Sequence, residues 1–494
     1  VQVDLLVVGG GINGAAIARD AAGRGLTVLL CEQDDLAAHT SSASSKLIHG
    51  GLRYLEQYEF ALVAKALAER DVVLNSAPHI VRPLRFVLPH EPHLRPEWMI
   101  RAALLLYDHL GRRRARSLLH SRRVDLREHA AGAVLQPQFD RGFIYSDAWC
   151  DDARLVVLNA LDAAARGARI RTRTRCIDAQ RGASGWIARL RDSTGATQAI
   201  EARALVNASG PWAASFVEEI ASQPARRSLR LVKGSHIVVN KLYDHRWAYT
   251  FQQADRRIVF AIPFERDYTL IGTTDVEFSG TPASVAIDRS EIDYLCAAVS
   301  RYFVRAITAD DVAWTYSGVR PLIEDESSSA AEVSRDYLLD GDDSAAPMLS
   351  VFGGKITTHR KLAEEALAWL APLLGNEHGA WTSAADVRLP GAEFGPDGFA
   401  GFCGDVARWF PWLPDELLRR YARSYGKRLE HIVGAARGLR DLGENFGGDL
   451  YAAEVDYLRR EEWARSADDI LWRRSKLGLR VDASGRRRLE AFLA

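Results

Sequence analysis

Val3–Val8 is a mainly apolar, β-branched run that stops at Gly9, the pattern of a parallel strand buried on both faces. "AAIARDAAGRG" follows with the rhythm of an alanine-rich helix, and "LTVLLCE" is a second apolar run closing on Glu32. Strand, helix and strand together take about 30 residues, the length of a compact βαβ unit. Two later strand patterns also run into small residues: "ALVNASGPW" (204–212), and "LSVFGGKITTHRKLAEEAL", which passes through Gly353 and Gly354 into a helix. Strand alternation marks "IRTRTRCIDAQ", "WIARLRD" and "IVFAIPFERDYTLIGTTD", the last predicting a hairpin around Arg266 and Asp267. Beyond about Ala385 the chain passes through "LPGAEFGPDG" into charged, Trp-rich helical patterns that run to Ala494. No repeat or low-complexity tract interrupts this order.

The turn between the first strand and helix reads Gly9-x-Gly11-x-x-Gly14. In a dinucleotide-binding turn the first glycine bends the chain, the second admits a pyrophosphate and the third packs helix on strand. The helix N-terminus attracts the phosphates, and an acid at the end of the second strand, here Glu32, takes ribose hydroxyls. A nicotinamide dinucleotide needs only this first turn. The further glycine-bearing strand ends favour a flavin, and a lysine beside a helix N-terminus, as at Lys355, suits the negative charge of a reduced flavin.

At 494 residues the chain is long enough for two or three structural units and a large buried cofactor. Lys plus Arg equals Asp plus Glu at 64 each, so no global field points to nucleic acid. The five cysteines are scattered and form no C-x-x-C pair, which indicates neither a disulfide framework nor a zinc site and fits a reducing compartment. The chain runs straight into a strand without a basic leader, and no apolar run approaches the roughly 18 residues of a spanning helix; neither a signal peptide nor a transmembrane helix is expected.

The segments "GGGINGAAIARDAAGRGL", "TSSASSKLIHGGLRYLE", "RPEWMIRAALLLYDHLG", "VNASGPW", "KGSHIVV", "IGTTDVE", "WTYSGVRPL", "SVFGGKITTHRKLAE" and "DDILWRRSKLGL" cover nearly the whole chain in order. In them the chain resembles the FAD-dependent glycerol-3-phosphate dehydrogenases of aerobic bacterial respiration. The resemblance implies an α/β fold: a Rossmann-like FAD-binding domain, an antiparallel β-sheet substrate cap as in glycine and D-amino-acid oxidases, and a helical C-terminal domain. The expected division is an oxidoreductase domain over 1–385 and a helical domain over 386–494. Within the first, FAD-binding segments are expected near 1–78, 151–228 and 345–385, and cap segments near 79–150 and 229–344.

The implied reaction oxidises sn-glycerol 3-phosphate at C2 to dihydroxyacetone phosphate, with hydride passing to flavin N5 and electrons to a membrane quinone. By this resemblance the FAD site takes Gly9, Gly11, Ile12, Asn13, Gly14 and Glu32, and from the serine-rich loop Ser41, Ser45, Lys46, His49 and Gly51. Ser209, Gly210, Trp212, Gly318, Arg320, Gly353, Gly354, Lys355, Ile356 and Thr357 complete it. Serine hydroxyls hydrogen-bond ribityl and pyrophosphate oxygens without steric demand. Substrate phosphate calls for cations, and Arg53 and Arg320 each lie beside a glycine and an apolar run, an expensive place for a charge that has no partner. Tyr54 and Lys355 join them. The hydroxyl proton needs a base, and His236 and His49 are the candidates, with His236 preferred for its place on a cap strand and named with Arg320 as catalytic. No metal is expected.

Arg95 to Arg123 carries eight arginines against two acids, with Trp98, Met99 and Leu104–Leu106 among them. That pattern serves either an interfacial helix on anionic headgroups or a basic surface helix packed by its leucines. The resemblance, with its lipid-soluble quinone acceptor, favours a peripheral contact on the cytoplasmic face of the inner membrane and a homodimer. "WRRSKLGLRVDASGRRRL" is expected to add to that contact or to a subunit interface. The rival readings are a glycerol-3-phosphate oxidase passing electrons to oxygen, an amine or amino-acid oxidase, a non-catalytic flavin-binding protein and an NAD enzyme.

Overall fold

The structure, a computed structural model, describes residues 1–55, 57–91, 96–110, 118–224, 227–255, 257–323, 336–383 and 387–494. Its first sheet runs in the order Tyr337–Asp342, Met348–Gly353, Thr197–Asn207, Gln2–Val8, Val28–Cys31, Arg169–Arg171. The central pairings are parallel, with Leu5 to Val8 beside Ala204 to Asn207 on one side and Val28 to Cys31 on the other. Helices Ile12–Gly23, Asp152–Ala165 and His359–Leu373 pack as one layer against it through Ala15, Ala18, Val156, Ala160, Ala363 and Leu367, all buried. The small residues let helix and strand approach closely, and the parallel strands Gln2–Val8, Val28–Cys31, Arg169–Arg171, Thr197–Asn207 and Met348–Gly353 end on the same edge.

The second sheet has ten strands and is built mainly on Leu229–Asn240, which pairs antiparallel with both Tyr268–Gly272 and Val312–Ile323. It is antiparallel except where Ala248–Gln252 runs parallel to Val81–Pro89. One face packs on helix Arg289–Ser300 through Leu295 and Val299. The other covers Val63 and Leu67 of helix Phe60–Ser76 and Ile100, Leu104 and Tyr107 of helix Glu97–Leu110. The expected hairpin is present, with Ile258–Phe264 and Tyr268–Gly272 joined through Glu265 and Arg266, both at positive φ.

"IRTRTRCIDAQ" and "WIARLRD", within 151–228, form an antiparallel extension of the first sheet through Thr174–Arg181 and Trp186–Asp192, and their exposed face produces the alternation. Two expectations change. The chain is back in the first sheet by Tyr337, which pairs with Gly353, so the cap ends before the expected residue 344. The 1–78 segment also lends Leu47–Ile48 to the cap sheet. The expected 385/386 boundary falls on residues outside those described. Beyond it, helices Gly398–Trp409, Asp415–Tyr425, Ala452–Glu461 and Ala483–Leu493 enclose a core of their own around Val406, Leu417, Tyr421, Val455 and Leu489.

Candidate active site

Where the first sheet's strands end, Gly9 takes a φ of +114°, which L side chains rarely adopt. A Cβ there would lie 2.3 Å from the Ala208 carbonyl oxygen, and one at Gly14 only 1.9 Å from that of Gly9. The turn therefore closes onto strand and helix as a bare backbone cradle. Glu32 braces it, with Oε2 accepting from the Gly10 N–H at 2.6 Å and Oε1 from that of Asp34 at 2.8 Å. Burial raises the Glu32 pKa against the pull of those two N–H groups. A crevice of about 200 Å³ runs along the cradle. It is lined by Gly9, Gly11, Ile12, Asn13, Glu32, Ser41, Ser209, Gly210, Trp212, Gly353 and Gly354. Ser41 Oγ accepts from the Ile12 N–H at 3.0 Å. Asn13 donates to the Gly353 carbonyl at 3.2 Å, while its buried Oδ1 has no hydrogen-bond partner in the protein. A bare cradle, an acid at the second strand end and a waiting amide acceptor fit the ADP and ribityl portions of FAD.

A larger cleft of about 1120 Å³ opens between the 47–55 loop and the cap. His49, Gly51, Arg53, Tyr54, Asp147, Phe260, Thr273 and Asp275 line it. The ammonium of Lys355 sits 4.0 Å from the centroid of the Tyr54 ring. Arg320 reaches the opposite wall, where its guanidinium meets the carboxylate of Asp275, the Thr273 hydroxyl at 2.9 Å and the Thr274 carbonyl at 3.2 Å. Arg53 and Tyr54 thus line the cleft, with Lys355 joined to it through Tyr54 and Arg320 through Thr273 and Asp275, although more than 300 positions separate Arg53 from Lys355. Thr357 accepts from the His49 N–H at 3.3 Å, tying the Lys355–Thr357 turn, Ile356 included, to the loop.

His236 stands behind this cleft with 2% of its surface exposed. Its ring stacks on Tyr316 at 4.7 Å and 15°, and Nε2 shares a hydrogen bond of 2.8 Å with Ser45 Oγ. Nδ1 is buried without a partner in the protein. Burial first, then the charges of Arg320 and Lys46, push its pKa well below 6.5, so the ring is neutral at physiological pH. Gly318, in the register pair Gly234 and Gly318, packs against Ala43 of the serine loop.

Lys46 departs from expectation. Its ammonium is fully buried on Asp152 at 2.9 Å and on the Ser42 carbonyl at 3.1 Å, and it lines neither crevice nor cleft. A charge so desolvated needs the carboxylate partner, which fixes the loop from behind instead of contacting the cofactor. The C-terminal "WRRSK" also differs: Arg473 and Arg474 are spent on buried Asp35 and Lys476 on half-buried Asp151 of the first domain. Motif reading missed Thr273 and Asp275, which orient Arg320. The signal was present in "IGTTDVE", where small hydroxyls and an acid follow an apolar strand.

Residues 4–360 match the family described as FAD dependent oxidoreductase, and residues 382–493 match the C-terminal domain of alpha-glycerophosphate oxidase. Two sheets meeting over a glycine-cradled crevice are the architecture of that class of flavin enzymes, and FAD is this chain's cofactor. A glycerol-3-phosphate dehydrogenase of Pseudomonas aeruginosa is 53% identical over 492 residues, 99% of this chain and 94% of that one. A D-erythritol 1-phosphate dehydrogenase of Brucella abortus is 50% identical over 475 residues, 96% of this chain and 94% of that one. The FAD-complexed glycerol-3-phosphate dehydrogenase structure from Bacillus halodurans superposes with a TM-score of 0.79 at 28% identity, covering 100% of this chain and 89% of that one. The chain belongs to the FAD-dependent glycerol-3-phosphate dehydrogenase family.

Proposed function

We propose that this protein oxidises sn-glycerol 3-phosphate to dihydroxyacetone phosphate and passes the electrons to a membrane quinone. The observation that carries the reading is one cleft beside the FAD crevice with Arg53 and Tyr54 on its wall, Lys355 against Tyr54, and Arg320 against the lining residues Thr273 and Asp275. A small phosphorylated alcohol needs that much positive charge and little else for recognition. FAD, when bound, supplies the acceptor for the hydride that leaves C2.

The chain's own residues do the rest. Arg320, forked on Asp275 and Thr273, is held pre-oriented, so less entropy is lost when it takes a phosphate oxygen. Tyr54 and Lys355 close the loop side. Neutral His236 is the acceptor for the hydroxyl proton in this reading, and Ser45 on its Nε2 is the path by which that proton reaches a ring not itself on the cleft wall. His49 lies on the wall and is the second candidate.

The quinone and an anionic membrane surface belong to the same reading. Helix Glu97–Leu110 turns Trp98 (71% exposed) and Leu105 (64%) outward with Met99 and Leu106. Met99 and Leu106 also line the cleft mouth. Among the described residues no helix is long and apolar enough to cross a membrane, so attachment through this face would be peripheral. Arg95 and residues 111–117 of the basic tract lie outside the described residues.

The half-identical tetritol-phosphate dehydrogenase supports a second substrate reading, since a cleft of about 1120 Å³ admits one more hydroxymethyl group. Comparing kcat/KM for sn-glycerol 3-phosphate and D-erythritol 1-phosphate, with a quinone analogue and with oxygen as acceptors, tests the assignment. The expected outcome is preference for the three-carbon substrate with little peroxide. A preference for the four-carbon substrate, or stoichiometric peroxide, would replace it.

A further inference from the structure

The motif "DDILWRRSKLGL" lies in the C-terminal domain and contributes nothing to the walls of crevice or cleft, yet its side chains reach the segments that stand behind both. Arg474 forks onto Asp35 at 2.7 and 2.8 Å, with no exposed surface of its own. Arg473 adds a bond of 2.6 Å to the same carboxylate and one of 2.5 Å to Asp469. Asp469 in turn takes Arg173 at 2.6 Å, and the Arg173 N–H donates to the Asp34 carbonyl at 2.7 Å. Asp34 and Asp35 belong to the loop that begins at Glu32, the acid bracing the glycine turn, and the Ala37 N–H at its far end donates to Gly10. The ribose side of the crevice is therefore gripped from outside its own domain.

Two further contacts reach the flavin-facing side. Lys476 bonds Asp151 at 3.3 Å, next to the Asp152 that holds Lys46 and Ser44 of the serine loop. Trp472 stacks on Trp314 at 4.3 Å and 13°, and two residues further along that strand Tyr316 stacks on His236 and donates to the Ser44 carbonyl at 2.8 Å. The backbone also joins in, with Tyr268 donating to the Leu479 carbonyl at 2.9 Å. One short segment thus fastens the ribose loop, the serine loop and a cap strand at once.

We propose that the Asp469–Leu479 segment is a buckle through which the C-terminal domain sets how tightly FAD is held. Its residues are positioning residues: they act through Asp35, Asp151 and Trp314 and touch neither cofactor nor substrate. Binding FAD orders the loops it contacts, and loops already fastened lose less freedom when it arrives. The inference rests on FAD as the occupant of the crevice.

The test uses full-length apoprotein titrated with FAD by fluorescence. Arg473→Met leaves Arg474 on Asp35, so the fold is kept while the loop loosens; Trp472→Leu loosens the cap side separately. Each is expected to raise the FAD Kd roughly tenfold or more, while KM for sn-glycerol 3-phosphate at saturating FAD stays within about twofold. Arg420→Met, which breaks an ion pair with Glu454 inside the helical domain, serves as the control and should leave Kd unchanged. Unchanged Kd in both buckle variants, or an equal rise in the control, overturns the buckle. A wild-type protein that fails to take up FAD overturns the cofactor assignment and the inference with it.

Discussion

At Gly272 a Cβ would lie 2.1 Å from His236 Cδ2, and at Gly234 one would lie 2.1 Å from Arg320 Nη2. These two glycines leave the space that the histidine and the guanidinium occupy, so the site is shaped as much by missing side chains as by present ones. Gly272→Ala is expected to displace the imidazole from Ser45. A misplacement near 1 Å costs about 100-fold in rate, which would appear as slower flavin reduction at saturating substrate with FAD content unchanged; stopped-flow absorbance measures it. Arg320→Lys keeps the charge but loses the fork onto Asp275 and Thr273. Its apparent KM for the phosphorylated substrate is expected to rise roughly 10- to 100-fold, and a KM within twofold of wild type would remove Arg320 from phosphate binding. At this scale the sequence was informative where a residue's neighbours in the chain are also its neighbours in space, as at Gly9 to Gly14. It misled at Lys46, whose partner Asp152 lies 106 positions away and leaves no local trace.

Helix Glu97–Leu110 shows how one element can serve two surroundings. Its inner stripe, Ile100, Leu104 and Tyr107, packs under the cap sheet. Tyr107 reaches the site directly: its hydroxyl donates to Asp147 at 2.8 Å and accepts from the Gly50 N–H at 2.9 Å, between the loop residues His49 and Gly51. The outer stripe is apolar and exposed, which costs solubility unless something covers it. If that cover is a lipid surface, Trp98→Glu together with Leu105→Glu should lower co-sedimentation with phosphatidylglycerol vesicles at least about tenfold. Reduction of a soluble dye should stay within about twofold, because neither residue faces the cleft. Equal vesicle binding by variant and wild type would move the membrane contact elsewhere. The two-sided pattern was readable in the sequence. Its alternatives were not separable there, because an exposed apolar stripe and a covered one have the same periodicity.

Across the whole molecule, buried ion pairs join parts that motif reading treats separately. Asp35 and Arg474 are 439 positions apart, and the helical domain meets the FAD domain again where Glu462 pairs with Arg154, both without exposed surface. His79 sits near the same junction against Phe394, with both ring nitrogens buried and unsatisfied, and burial holds its pKa down at about 3. Because the folded value lies below the unfolded 6.5, the unfolded chain takes up the proton first as pH falls. Stability present at pH 7 is therefore lost between about pH 6.5 and 3, at up to about 1.4 kcal/mol per pH unit. His79→Leu should flatten the acid side of the stability profile by that amount in urea unfolding at pH 7, 6 and 5; parallel wild-type and variant profiles would contradict it.

The βαβ start, the three glycine-bearing strand ends and the helical tail were all legible as local patterns. Sheet membership of Tyr337–Asp342, and the interdomain pairs, were not, because partners in a sheet or a buried pair are chosen by topology. The most direct test of the account is anaerobic addition of sn-glycerol 3-phosphate to the FAD-loaded protein, followed at the flavin's visible band. The account predicts full bleaching in wild type, with loss of bleaching at the same substrate concentration in Arg320→Ala that retains FAD; a wild-type band that persists unbleached would contradict it.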